Sequence, residues 1–143
     1  MRATDSVVLL HDGPRLWLVP EDDGTMRAFR RPLPDDFRLD DPTYDWEDVF
    51  TFLPEEILIP VRGCATIALV PASSTGRPAR VFAFEAKLPD ELPPADGPLG
   101  PLVEARLGRT REYAQEGRVA DPETLVALYA VAFERLKRGG RGR

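Results

Sequence analysis

The sequence predicts an α+β fold: a mainly antiparallel sheet of five or six strands with two C-terminal helices packed on one face. Three observations carry this. Apolar, β-branched runs separated by turn signals fill residues 5–31 and 57–88. The last third instead shows helix start and stop residues around an i, i+3/i+4 apolar stripe. A length of 143 residues suits one domain that buries a core without disulfides. The domain is set at residues 1–138, with 139–143 as a flexible basic tail, and no internal repeat is found.

Residues 5–11 and 15–19 are expected to form a hairpin across Asp12-Gly13, with Pro14 opening the returning strand. Residues 25–31 supply a third strand and complete a meander. Residues 32–56 change character, with nine acids against Arg38 alone, and prolines at 32, 34, 42 and 54. Asp45 is placed as the cap of a short helix through Leu53, and the aromatics of this segment are expected to pack on the sheet. Strands resume at 57–59, 65–70 and 80–88. In the last of these Phe82, Phe84, Ala86 and Leu88 share one face, predicting one core face and one partly wet face. Residues 71–78 read as a hairpin loop and 89–98 as a proline-rich connector. A first helix is expected from Pro101 to Gly117. A second runs from its cap at Asp121 to Gly139-Gly140, packing Leu125, Leu128, Ala132 and Leu136 on the face that bears Phe82 and Phe84.

Rare residues exclude several chemistries. With one cysteine, Cys64, no internal disulfide forms; with one histidine, His11, a zinc site of four Cys and His ligands is impossible within the chain. Ser6, Ser73 and Ser74 lie outside any nucleophile-elbow pattern. Cys64 is expected to be buried and inert, and His11 an exposed residue at a strand end. No cofactor-binding pattern is read. A net charge of −5 argues against nucleic acid as a partner. No signal-peptide core or membrane span is seen, so a cytoplasmic location is expected.

The segment Arg111-Glu112-Tyr113-Ala114-Gln115-Glu116-Gly117 resembles the second half of the Nudix hydrolase box, in which helix carboxylates hold Mg²⁺ against a diphosphate. Gly117-Arg118-Val119-Ala120-Asp121 and the helix behind it are similar to the C-terminal helix of that family. The resemblance spans about residues 80–137 and implies a nucleoside-diphosphate hydrolase or an inactive relative. Residues 111–117 cannot be both the box and the lead into the terminal helix. Gln115-Glu116 stands where the pattern has paired glutamates, the Glu-to-Gly spacing is one residue short, and too little chain follows for further strands. Glu112 and Glu116 are therefore expected to be i, i+4 neighbours on a wet helix face, not metal ligands.

The acidic segment 35–56 lacks the EF-hand spacing, which leaves two readings: a solvated face, or a surface for a basic protein partner. In the second, Asp40, Asp41, Tyr44, Asp45, Trp46 and Asp48 are the candidate contacts. Arg27, Arg30 and Arg31 form a basic cluster open to a phosphate or to the chain's own acids. Ser73-Ser74-Thr75-Gly76 offers donors for an anion. The expected function is a non-enzymatic binding or regulatory protein; the alternative is a diverged or inactive Nudix-like hydrolase.

Overall fold

The computed structural model describes residues 5–33, 61–97 and 99–141. Among these, the strands β1 (Asp5–His11), β2 (Arg15–Pro20), β3 (Met26–Arg27), β4 (Phe29–Pro32), β5 (Val61–Val70), β6 (Ala79–Ala86) and β7 (Val103–Arg106) join one seven-stranded sheet. A 3₁₀ turn at Leu107–Arg109 leads into the helices α1 (Thr110–Gln115) and α2 (Pro122–Arg141). The expected strand at 57–59 and the short helix from Asp45 lie outside the described residues, as does the side chain of Cys64.

β1 organises the sheet. One edge pairs in parallel with β6, from Asp5↔Ala79 to His11↔Glu85. Its other edge is shared: Leu10 and His11 pair with β2, while Asp5 to Val8 pair with β4. β5 runs antiparallel to β6, and β7 antiparallel to β2. The sheet is therefore mixed and mostly antiparallel. The expected third strand is split, because the Ala28 N–H leaves the ladder and donates to Thr124 Oγ1 at 2.9 Å. At that point the chain passes from β2 to β1. The first hairpin is centred one residue later than expected: Asp12 N–H donates to the Arg15 carbonyl at 3.0 Å, leaving Gly13 and Pro14 as the central pair. Gly13 sits at φ +108°, a conformation open to glycine at no steric cost.

The prediction of one wet sheet face is corrected. Val7, Leu9, Leu16, Leu18, Val81 and Ala83 enter one core, while Val8, Leu10, Trp17, Phe29, Phe82 and Phe84 enter a second. Near-continuous apolar runs such as Val7-Val8-Leu9-Leu10 mark strands covered on both faces. The first core is closed by α2 through Ala127, Leu128 and Val131, and Leu88, Leu99 and Leu102 join the second. α2 therefore packs on the face opposite Phe82 and Phe84, contrary to expectation. Its inward stripe is Thr124, Ala127, Leu128 and Val131, whereas Leu136 is 77% exposed.

The expected helix from Pro101 is also corrected. Val103–Arg106 is a strand, with Ala105 buried and Glu104 and Arg106 exposed; it pairs with Arg15 to Leu18 of β2. The alternation V-E-A-R-L carried this period of two, and an open edge on β2 makes it the favourable choice. Only the 3₁₀ turn at Leu107–Arg109 and α1 are helical in that stretch. α2 carries through Gly139-Gly140 to Arg141.

Candidate functional site

Toward one end of the molecule, both layers exchange apolar for charged side chains at the same level. On β1 the inward line Val7, Leu9 continues to His11, and on the neighbouring β6 the line Val81, Ala83 continues to Glu85. The inward stripe of α2 passes Leu128 and Val131 and then reaches Arg135 and Arg138 at helical spacing. β5 contributes Arg62. These residues, with Phe133, line a cleft of about 910 Å³ between the sheet and the C-terminal half of α2.

Charge in the cleft is unevenly satisfied. Arg62, Arg135 and Arg138 make no ion pair or hydrogen bond with another described side chain. Elsewhere the exposed Arg109 and Arg118 hold Glu112 and Glu116 at 2.7 and 3.0 Å. His11 is buried, not exposed as expected, and its Nδ1 accepts a hydrogen bond from the Gly13 N–H at 3.0 Å. That bond places the ring proton on Nε2. Burial pushes the His11 pKa below its ordinary value; Arg135 and Arg138 add to this, against Glu85 and Asp12. The Arg135 guanidinium lies so close to Gly13 that a Cβ there would collide with it. The turn glycine thus allows the arginine to close one end of the cleft. Three guanidiniums can bind phosphate oxygens, and the Phe133 ring offers a face for a flat apolar group.

A different outcome awaits the donors of the 71–78 loop. Ser74 N–H donates to Glu123 Oε1 at 2.7 Å, and Ser74 Oγ to Asp121 Oδ1 at 3.0 Å. The anion in this cradle is the protein's own. Arg30 Nη2 completes the cluster, 3.2 Å from both Asp121 and Glu123. The basic cluster thus spends Arg30 on internal carboxylates; Arg31 stacks on Phe29, and Arg27 lies 3.8 Å from Glu21. Burial raises the Asp121 pKa, but hydrogen bonds from Thr124 and Ser74, with the Arg30 charge, bring it below the ordinary value.

The predicted contacts Asp40, Asp41, Tyr44, Asp45, Trp46 and Asp48 lie outside the described residues. Glu112 and Glu116 are on the surface, each held by an arginine. Among the described residues no three His, Cys, Asp or Glu side chains converge as a metal site, and the cleft receives only Glu85 and Glu134. They do not provide the oxygen set that Mg²⁺ takes from carboxylates. The cleft was not read from the sequence because basic residues in the last turns of a helix ordinarily complement its dipole. The i+4 and i+7 spacing of Arg135 and Arg138 from Val131 was the available signal.

The order of mixed sheet and terminal helix has a counterpart among solved structures. The chain is similar to a Nudix hydrolase from M. smegmatis, RenU, with a TM-score of 0.51 over 98% of this chain and 87% of that one, at 14% identity. The fold is Nudix-like. No family model matches the chain, and no curated protein matches it. α1 leads directly into α2 with every described strand before it, so residues 111–117 form the approach to the terminal helix and not a box followed by strands. No helix among the described residues is long and apolar enough to cross a membrane.

Proposed function

We propose that this Nudix-like chain binds a phosphorylated small molecule of the nucleoside-diphosphate class in the cleft between β5, β6 and α2. The supporting observation is that Arg62, Arg135 and Arg138 line one cleft and none makes an ion pair with another described side chain, in a chain of net charge −5. Guanidinium–phosphate pairs are bidentate and charge-assisted. Phe133 suits the flat face of a base, and Glu85 with His11 forms a polar floor able to hydrogen-bond it. The name of RenU makes hydrolysis the activity to test beside binding.

The test is calorimetric titration with a nucleoside-diphosphate panel and inorganic diphosphate, alongside a phosphate-release assay with and without Mg²⁺. Binding that weakens with salt is expected, and Arg138→Ala should lower affinity about 10- to 100-fold, the loss of one charge-assisted contact. Mg²⁺-dependent turnover would make the chain a hydrolase, and binding without turnover a non-enzymatic relative. If no member of the panel binds, or Arg138→Ala leaves affinity unchanged, the reading is overturned.

A further inference from the structure

Across the floor of the cleft, residues of three neighbouring strands form one row. His11 of β1 is paired with Glu85 of β6, and Glu85 is paired with Gly63 of β5. Residues paired directly across strands share a face, so a donor, an acid and a gap lie side by side. His11 is 6% exposed and spends Nδ1 on the Gly13 N–H. Its Nε2–H has no partner among the described residues and is not sealed from solvent. A donor fixed in that position is available to whatever enters the cleft. Burial, with Arg135 and Arg138, lowers the His11 pKa, so the ring keeps this neutral form near pH 7. Glu85 likewise makes no hydrogen bond or ion pair with another described residue. Beside it, a Cβ at Gly63 would meet nothing within 4 Å. Ala65, Ala83 and Ala130 keep the adjoining walls low. The gap is a slot for a flat group.

The row also restricts which edge that group presents. The imidazole offers one donor, and an ionised carboxylate only accepts, through two oxygens. A complementary edge carries two adjacent donors next to one acceptor. Among the common bases guanine has this edge, in N1–H, the 2-amino group and O6. Adenine and cytosine turn a ring-nitrogen lone pair toward the carboxylate, and uracil offers it a single donor. We infer that His11, Glu85 and Gly63 form a guanine-selective subsite, with Nε2–H on O6 and the Glu85 carboxylate across N1–H and the 2-amino group. This rests on the nucleotide reading of the cleft and adds which base the cleft selects.

Calorimetric titration of the full chain with GDP, IDP, ADP, UDP and inorganic diphosphate tests base choice apart from phosphate binding. GDP should bind about 10- to 100-fold tighter than ADP or UDP, the discrimination of a bidentate base contact. IDP lacks the 2-amino group and should fall between them. The amide of Glu85→Gln both donates and accepts, so GDP should weaken by about 10- to 100-fold and lose its advantage over ADP. Inorganic diphosphate should bind that variant no more weakly than the parent. Gly63 needs no positive φ, so Gly63→Val should keep the melting temperature while filling the slot and lowering GDP affinity toward that of inorganic diphosphate. Equal affinity for GDP, IDP and ADP overturns the inference and leaves phosphate binding in place. So does a preference for GDP that survives both Glu85→Gln and Gly63→Val. If neither inorganic diphosphate nor any nucleotide binds, the nucleotide reading falls and the subsite falls with it.

Discussion

At the N-terminal end of α2, Asp121 and Glu123 are met by Ser74, Thr124 and Arg30. At the other end of the same helix, Arg135 and Arg138 line an open cleft and, among the described residues, meet no carboxylate in an ion pair. The first end resembles a binding loop in sequence and is a structural lock. The second resembles an ordinary basic helix terminus and carries the free charge. A charged or donor-rich motif becomes a site only when the fold leaves its valence unfilled, so the two ends should respond differently to substitution.

The largest effect belongs to the lock. Glu123 is 1% exposed and bridges the Ser74 N–H to the Arg30 guanidinium. Glu123→Ala should cost about 3–5 kcal/mol in urea denaturation, because Arg30 keeps a partly buried charge with one partner fewer. A loss under about 1 kcal/mol would show that water replaces the carboxylate freely, and the contrast between the ends would vanish. Next is Leu128→Ala, which removes a fully buried side chain packed among Val7, Leu9 and Val81; about 2–5 kcal/mol is expected by the same measurement.

The fold was legible wherever residues spoke locally. Val7 to Leu10, the Asp121-Pro122 start and the turn at Gly13 predict their elements from backbone chemistry alone. What failed was long-range. The face of the sheet that α2 covers depends on which side the chain crosses, and nothing in Leu128 says whether Val81 or Phe82 will meet it. The strand at Val103 was hidden because Pro101 and Leu107 also suit a helix, and only the free edge of β2 decides between them. His11 sits in the cleft for a similar reason: its neighbours there, Glu85 and Arg135, are 74 and 124 residues away by their numbers.

A pH series sharpens the contrast from the cleft side. His11 is neutral when folded, and its pKa lies below the ordinary 6.5. As pH falls through that value the unfolded chain binds the extra proton first, so folding stability contributed by neutral His11 is complete above 6.5 and is lost on descent toward the lowered folded value. The melting temperature should therefore drop between pH 7.5 and 5 by more in the parent than in His11→Gln, which lacks the titrating ring. Asp121 acts lower: its folded pKa is below 3.8, so its contribution holds above that value and disappears as pH falls through the folded one. Equal slopes in parent and His11→Gln would mean that His11 titrates as though exposed.

The smallest effect on stability decides the comparison. Arg62 and Arg138 are exposed and, among the described residues, make no ion pair. Replacing either by alanine should change unfolding free energy by no more than about 0.5 kcal/mol, as for surface sites without special partners. The double variant should remain additive if the two act only on a ligand. Removing like charges from one cleft relieves repulsion, so a slight gain at low salt is the expected sign, fading as ionic strength rises. The same variants should lose ligand affinity, whereas Glu123→Ala should lose stability first. If Arg138→Ala instead costs more than about 1 kcal/mol, the guanidinium is holding the structure and the cleft is a second lock.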